Sequence, residues 1–214
     1  MSNNKEKKLT AIYGGGVYAE RKHFVEKSVT CDLWRKSGFA LRGFQKILEP
    51  FSDFEKLSLL YAMIASECTY DNTIKRHFTR SYIGALRDRC AVCAAFAELL
   101  MLLIAEVTNY KNIYYVVGKT NPKSESYHAW NIIEMDGQSF HLDLTWDLQK
   151  SRPKYFLKSD QEMKPRVWDK HLFPSCTKKF NGTIYQNDKA LEKLRRYFRK
   201  LESSFKTTGD FTVD

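Results

Sequence analysis

Tyr127-His128-Ala129-Trp130-Asn131-Ile132-Ile133-Glu134-Met135-Asp136-Gly137-Gln138-Ser139-Phe140-His141-Leu142-Asp143-Leu144-Thr145-Trp146 is the stretch on which the fold turns. Two alternating runs, Tyr127 to Met135 and Gln138 to Trp146, meet at Asp136-Gly137, and Asp-Gly in that setting predicts a tight β-hairpin. With a two-residue turn, Met135 faces Gln138 and the rest of the register follows. Trp130 then faces Asp143 and His128 faces Thr145. His128 and Asp143 become diagonal neighbours on one face, within hydrogen-bond reach. Ala129, Ile133, Met135, Phe140, Leu142, Leu144 and Trp146 gather on the opposite face, which is expected to be the core side.

Upstream of the hairpin the period changes. Cys93 to about Val107 is apolar on nearly every side except Glu98 and Glu106, the pattern of a buried helix. Ser52 with Glu55 three residues on forms a capping-box pattern after Pro50, and Phe54, Leu57, Leu60, Tyr61 and Ile64 recur at helical spacing as far as about Cys68. A less periodic helix is expected in the 74–87 region, and a strand at Ile113 to Val117. Beyond Asp147 a further strand is expected at Tyr155-Phe156-Leu157, then a Pro-punctuated stretch to about Phe180. Leu191, Leu194, Phe198, Leu201 and Phe205 form one stripe of a last helix, about 188–206, expected to pack on its own domain, with a partner-binding or dimerising helix as the alternative. Residues 1 to about 35 read as an extension, with a short extended piece at Ala11-Ile12-Tyr13 before Gly14-Gly15-Gly16. These glycines lack the Gly-Lys-Ser/Thr of a phosphate loop.

Bulk composition bounds the function. The chain has 214 residues, 43% hydrophobic and 28% charged, which suits a single globular domain spanning 1–214 with its core at about 50–160. The most apolar run is too short for a bilayer. Met1-Ser2-Asn3-Asn4-Lys5-Glu6-Lys7-Lys8 has no apolar segment behind it, so no secretory signal and a cytoplasmic location are expected. Five cysteines at irregular spacing argue against a disulfide framework. The net charge of +10 is concentrated toward the ends and is compatible with acidic partners. No nucleic-acid-binding motif accompanies it.

Cys93 begins the apolar helix. Unpaired N–H groups at a helix start carry partial positive charge and stabilise an anion there. With a neighbouring imidazolium, such sites lower a thiol pKa from about 8.5 to roughly 3.5–7.5. Helix-end N–H groups can also hold the oxyanion of a tetrahedral intermediate. A small buried core cysteine is the competing reading, as a partly buried, satisfied imidazole is for His128. Cys90-Ala91-Val92-Cys93 is also a C-x-x-C. Zinc would need four ligands, and Cys31, Cys68 and Cys176 stand alone; a redox pair would be expected after a strand in a βαβ unit.

Three blocks in order resemble the transglutaminase-like superfamily, a branch of the papain-like cysteine enzymes, in a bacterial-type form: Ala91-Val92-Cys93-Ala94-Ala95-Phe96-Ala97, His128-Ala129-Trp130-Asn131 and Asp143-Leu144-Thr145-Trp146-Asp147. The similarity runs from about Tyr70 to Asp147, and Tyr155-Phe156-Leu157-Lys158-Ser159-Asp160 is similar to the tail of bacterial members. It implies an α+β fold in which a central buried helix packs on an antiparallel sheet in a papain-like core, with additional N- and C-terminal helices. It also implies Cys93 as nucleophile, His128 as proton acceptor and donor, and Asp143 as the group that orients the imidazole. Trp130 would wall the substrate cleft and Asn131 would support the hairpin from the core side. Two departures are visible: Ala91 replaces a common glycine, and Arg87 occupies the papain-like oxyanion glutamine position, leaving Tyr70 as the candidate donor by location alone.

The activity expected is a cysteine protease, amidase or acyltransferase working through a thioester on a protein or peptide, hydrolysis being favoured, with no cofactor and no metal. A catalytically silent partner-binding module and a basic nucleic-acid-associated protein are the alternatives.

Overall fold

The hairpin turn forms as the sequence predicts. Asp136 and Gly137 both have positive φ, 50° and 73°, as a type I′ turn requires, and Met135 pairs with Gln138. The computed structural model describes residues 31–206 except His77 and Lys111. The expected extended piece at 11–13 and the 14–16 glycine loop lie outside the described residues, as do most of the 1–35 extension and the side chain of Phe205.

In chain order the elements are α1 (Cys31–Leu48), α2 (Asp53–Glu67), β1 (Thr69–Tyr70), α3 (Tyr82–Asp88), β2 (Cys90–Ala91), α4 (Cys93–Val107), β3 (Ile113–Lys119), β4 (Tyr127–Met135), β5 (Gln138–Leu142), a 3₁₀ turn (Leu144–Asp147), β6 (Val167–Trp168), a second 3₁₀ turn (Lys170–Leu172) and α5 (Asp188–Lys206). Helices and an antiparallel sheet are therefore mixed, with sheet order β5-β4-β3-β6. A separate short parallel pair joins β1 to β2. No described helix is long and apolar enough to cross a membrane.

The capping box at Ser52 and Glu55 is present, with the carboxylate of Glu55 accepting from the Ser52 N–H at 2.8 Å. α4 is buried as its all-round apolarity predicts. It lies against β4 and β3 on one side and α1, α2 and α3 on the other. Asn131 fastens helix to sheet: its amide donates to the Ala97 carbonyl of α4 at 3.1 Å and to the Tyr114 carbonyl of β3 at 3.3 Å. α5 packs on α1, α2 and α3 and buries Leu194, Phe198 and Leu201, so its stripe serves the chain's own core.

Three expectations change. The helix expected within 74–87 is confined to Tyr82–Asp88. Before it, the Asp71 carboxylate gathers Thr73 N–H and hydroxyl, Ile74 N–H and the Thr79 hydroxyl, an Asx-type arrangement that competes with helix. Residues 155–157 are not a strand. They run beside β5, where Asp143 N–H donates to the Tyr155 carbonyl at 3.0 Å and His141 bridges Lys158. α1 begins within the span read as an extension to about residue 35; the resemblance implied an N-terminal helix without placing it, and Ala40, Phe44 and Leu48 are buried at i, i+4 spacing.

The second face of the sheet is covered too. Val116, Trp130 and Ile132 pack against Met163, Trp168, Phe173 and Cys176, so the irregular 155–176 segment closes over it. Gly118 permits this close approach: a Cβ there would lie 2.3 Å from the Val167 carbonyl oxygen and 2.6 Å from the Trp130 ring.

Candidate active site

Two backbone arrangements bring Cys93 to the surface. β2 leads into α4, and β1 runs parallel beside β2, with Asp71 N–H donating to the Ala91 carbonyl at 2.9 Å and Val92 N–H to the Thr79 carbonyl at 3.0 Å. No side chain caps α4, whose N-cap is Val92. The N–H groups of Ala95 and Phe96 turn back to the Val92 carbonyl, while those of Cys93 and Ala94 point into the site. The N–H groups of Ala94 and Ala129 and the ring of His128 lie beside the Cys93 sulfur. Burial alone would raise the thiol pKa, but the imidazole and these two N–H groups outweigh it, and the net shift is downward.

His128 starts the inner part of β4, opposite Gly118. Its Nε2 lies 2.9 Å from Oδ2 of Asp143, which leaves Nδ1 for the sulfur. Burial opposes its charge, yet the Asp143 and Cys93 contacts carry its pKa up to about 9. The diagonal His–Asp relation deduced from the hairpin register is present, although the ladder ends at Leu142. Asp143 is the N-cap of the 3₁₀ turn, its Oδ1 accepting from Trp146 N–H at 3.4 Å. It is fully buried.

That early strand end exchanges the roles of two tryptophans. Trp130, expected to wall the cleft, is only 1% exposed; it stacks behind His128 at 5.7 Å and 22° because the 155–176 segment covers its face of the sheet. Trp146, expected in the core, turns outward with the 3₁₀ backbone, is 42% exposed, and meets the His128 ring edge-on at 6.4 Å. Arg87 pairs with Asp88 through two 2.8 Å contacts, away from the cleft lining. Tyr70 is at the site: its hydroxyl reaches both the sulfur and the backbone N–H of Cys93. Burial first, then Cys93, pushes its pKa up, so the phenol stays protonated and remains a donor.

Cys93, His128, Tyr70 and Trp146 line a surface cleft of about 560 Å³ whose other walls are largely hydroxyl-bearing, including Thr69, Ser124 and Thr145. Sequence reading missed Arg166. Its Nε and Nη2 donate to the same Asp143 oxygen at 3.0 and 2.7 Å, and its guanidinium lies over Trp146 at 4.8 Å and Tyr155 at 4.3 Å. No local signal marks it, since it comes 23 residues after Asp143 in the Pro-punctuated stretch.

A second imidazole–carboxylate pair lies behind Trp130. The indole Nε1–H donates to Nδ1 of His141 at 3.0 Å, and Nε2 of His141 is 2.9 Å from Oδ1 of Asp160. Cys176 donates its N–H to that oxygen at 3.2 Å. The ligand atoms of His141, Asp160 and Cys176 lie within 4.8 Å of one another, the closest approach to a metal-ligand cluster among the described residues. The hydrogen bonding does not suit a metal. An indole only donates, so Nδ1 must be bare and the proton sits on Nε2, where a metal would have to bind. Moving that proton to Nδ1 would set it against the indole N–H.

No protein-family model matches the sequence, and no curated protein matches it. Among solved structures, the chain is similar to a protein from Cytophaga hutchinsonii described as a "putative cysteine protease", at 17% identity and a TM-score of 0.43. The alignment covers 56% of this chain and 44% of that one, so the chain spans under half the length of that structure.

Proposed function

We propose that this chain is a cysteine-nucleophile enzyme of the transglutaminase-like, papain-like kind, cleaving amide bonds in a peptide or protein through a thioester. The observation that carries the reading is the alignment at the cleft floor: a thiol at the start of a buried helix, an imidazole beside it in the same cleft, and a buried carboxylate 2.9 Å from the far nitrogen of that ring.

The chemistry follows from those contacts. The proton of Cys93 resides on His128, giving a thiolate and an imidazolium whose charge Asp143 stabilises. The sulfur adds to the amide carbonyl carbon, and the negative oxygen so formed is received by the Cys93 N–H and the Tyr70 hydroxyl. For that, the phenol must exchange its present contacts with Cys93 for one to the substrate oxygen. The carbonyl re-forms as the C–N bond breaks, and His128 passes its proton to the leaving amine. Water, deprotonated by the now neutral His128, adds to the thioester carbonyl. Collapse of this second intermediate releases the acid and returns Cys93 as thiolate with His128 protonated. Hydrolysis is preferred to transfer onto an amine because the cleft is open and hydroxyl-lined, with no lid among the described residues to keep water from the thioester.

Alkylation with iodoacetamide across pH tests the ion pair. Cys93 should react well below neutral pH in the wild type and lose that reactivity in His128→Gln. A wild-type profile identical to that of a free cysteine would refute the proposal. Peptide pools incubated in H₂¹⁸O with and without a primary amine would then separate ¹⁸O incorporation from amine adducts.

A further inference from the structure

We infer that Arg166 is a positioning residue of this site, the fourth link of an alternating charge chain, Cys93 thiolate, His128 imidazolium, Asp143 carboxylate and Arg166 guanidinium, and that its charge is what lets Asp143 and Cys93 be anionic together. This rests on the cysteine-enzyme reading above and adds a requirement to it.

The geometry is unusual in one respect. His128 Nε2 and both bonding nitrogens of Arg166 converge on a single oxygen, Oδ2 of Asp143, at 2.9, 3.0 and 2.7 Å, while Oδ1 takes one long backbone bond. Asp143 is fully buried and Arg166 is 7% exposed, so bulk water screens neither. Removing one partner of such a pair leaves an uncompensated buried charge. With all four groups ionised, the chain holds two anions and two cations. Without Arg166 it holds a net negative charge, and protonating the thiolate is the cheapest way to cancel it, since a thiol has the highest intrinsic pKa of the two acids.

The other polar groups around the chain do not replace Arg166. The further cations nearby, Lys150 over the Tyr155 ring at 5.5 Å and Arg80 beside Tyr70, form no ion pair with Asp143. Tyr70, from β1, faces Cys93 as a neutral phenol. Tyr61, from α2, donates its hydroxyl to Asp147 at 2.8 Å and is kept protonated by burial and then by that carboxylate. Asp147 adds a further buried anion, held by that hydroxyl and the N–H groups of Lys154 and Tyr155. His141 faces Asp143 and Arg166 from β5, and burial pushes its pKa down, so it contributes no cation. The rings of Trp146 and Tyr155 hold the guanidinium flat and carry no charge. Cys-His-Asn relays, which occur in papain-like proteases, have a neutral third member and need no such counter-ion.

The test is the pH profile of Cys93 alkylation, with folding followed by circular dichroism. Arg166→Gln should move the acidic limb up by about one unit or more, a loss of roughly tenfold in rate near pH 6. Arg166→Lys should stay within about half a unit of wild type, because the charge remains. The decisive variant is D143N/R166Q, in which both buried charges leave together. Its limb should return to within about half a unit of wild type, a rescue that a purely structural role does not produce. An unmoved limb in R166Q overturns the inference while leaving the ion pair intact. Should R166Q fail to fold, a double variant whose limb matches free cysteine overturns it equally. A wild type without acid-shifted reactivity instead defeats the cysteine-enzyme reading itself.

Discussion

The two imidazole–carboxylate pairs of this protein have the same nitrogen–oxygen separation, 2.9 Å, in His128–Asp143 and in His141–Asp160. Both imidazoles are buried. Their basicities nonetheless diverge: His128 is driven up to about 9 and His141 is driven down. The carboxylate therefore does not decide the outcome. Burial opposes the charge on both rings; Asp143 and Cys93 together overcome it at His128, whereas Asp160 does not overcome it at His141. Nδ1 of His141 receives the indole N–H of Trp130, and protonating it would oppose two donors. His128 turns its other nitrogen to a thiol that can surrender its proton and accept a hydrogen bond back. One pair is a fixed strut, the other a site able to exchange a proton.

Replacing each imidazole by glutamine gives the widest separation between the pairs. His128→Gln should lower turnover by at least about 10³-fold. It should also cut alkylation at pH 6 by on the order of 10²-fold, the thiolate fraction lost when a thiol returns to a pKa of about 8.5. His141→Gln keeps an acceptor for the indole and a donor for Asp160, so Cys93 should retain its acid-shifted alkylation. Equal loss in both variants would erase the distinction.

Tyr70→Phe probes the open side that the second pair lacks. Removing the hydroxyl should reduce kcat by about 10²-fold, as expected for one oxyanion donor, with the acid-shifted alkylation of Cys93 retained. If the variant instead turns over faster than wild type, the phenol obstructs the sulfur and donates nothing to the transition state.

How much of this was legible in the sequence depends on the range of the determining contacts. Asp136-Gly137 fixes its own turn, and the register it sets brought His128 to Asp143. The capping box at Ser52 and the all-round apolarity of α4 are equally local. The failures arise where a distant segment intervenes. Extending the ladder past Leu142 put Trp146 inside, and the family resemblance put Trp130 at the cleft; the Asp143 cap on the 3₁₀ turn reverses the first and the cover supplied by residues 155–176 the second. Arg166, His141 and Asp160 belong to that same cover and its contacts, so no spacing in the sequence could pair them. α1 is the exception: half of its residues are apolar, and the i, i+4 recurrence of Ala40, Phe44 and Leu48 was a local signal that went unread.

Trp130→Phe tests the strut. The change removes the indole donor from Nδ1 of His141 and leaves a void where the larger ring sat, at a combined cost of about 2–4 kcal/mol in stability. His141 should then become able to protonate. Its resonances in an NMR titration should move between pH 5 and 7 in the variant and stay fixed in the wild type. Titration in the wild type would mean that the indole contact does not set the tautomer.

The smallest effect is in the pH dependence of stability. His128 has a folded pKa of about 9 against an unfolded value of about 6.5. The folded state therefore binds its proton more tightly, and the associated stability is complete below about 6.5 and disappears as pH rises through about 9. Cys93 runs the other way: its lowered pKa contributes above the unfolded thiol value of about 8.5 and is lost as pH falls through its folded one. A Cys93→Ser variant lacks this second contribution and leaves the part of the first that comes from Asp143. In that background the Cys93 share of the upward His128 shift is gone as well, so the Tm advantage of His128 over His128→Gln should be largest near pH 6 and should be lost before pH 9 as the imidazolium–Asp143 pair loses its proton. The same comparison at His141, where burial lowers the pKa, should slope the opposite way, with stability lost as pH falls below about 6.5. Parallel slopes at the two histidines would mean that identical carboxylate distances do, after all, impose identical chemistry.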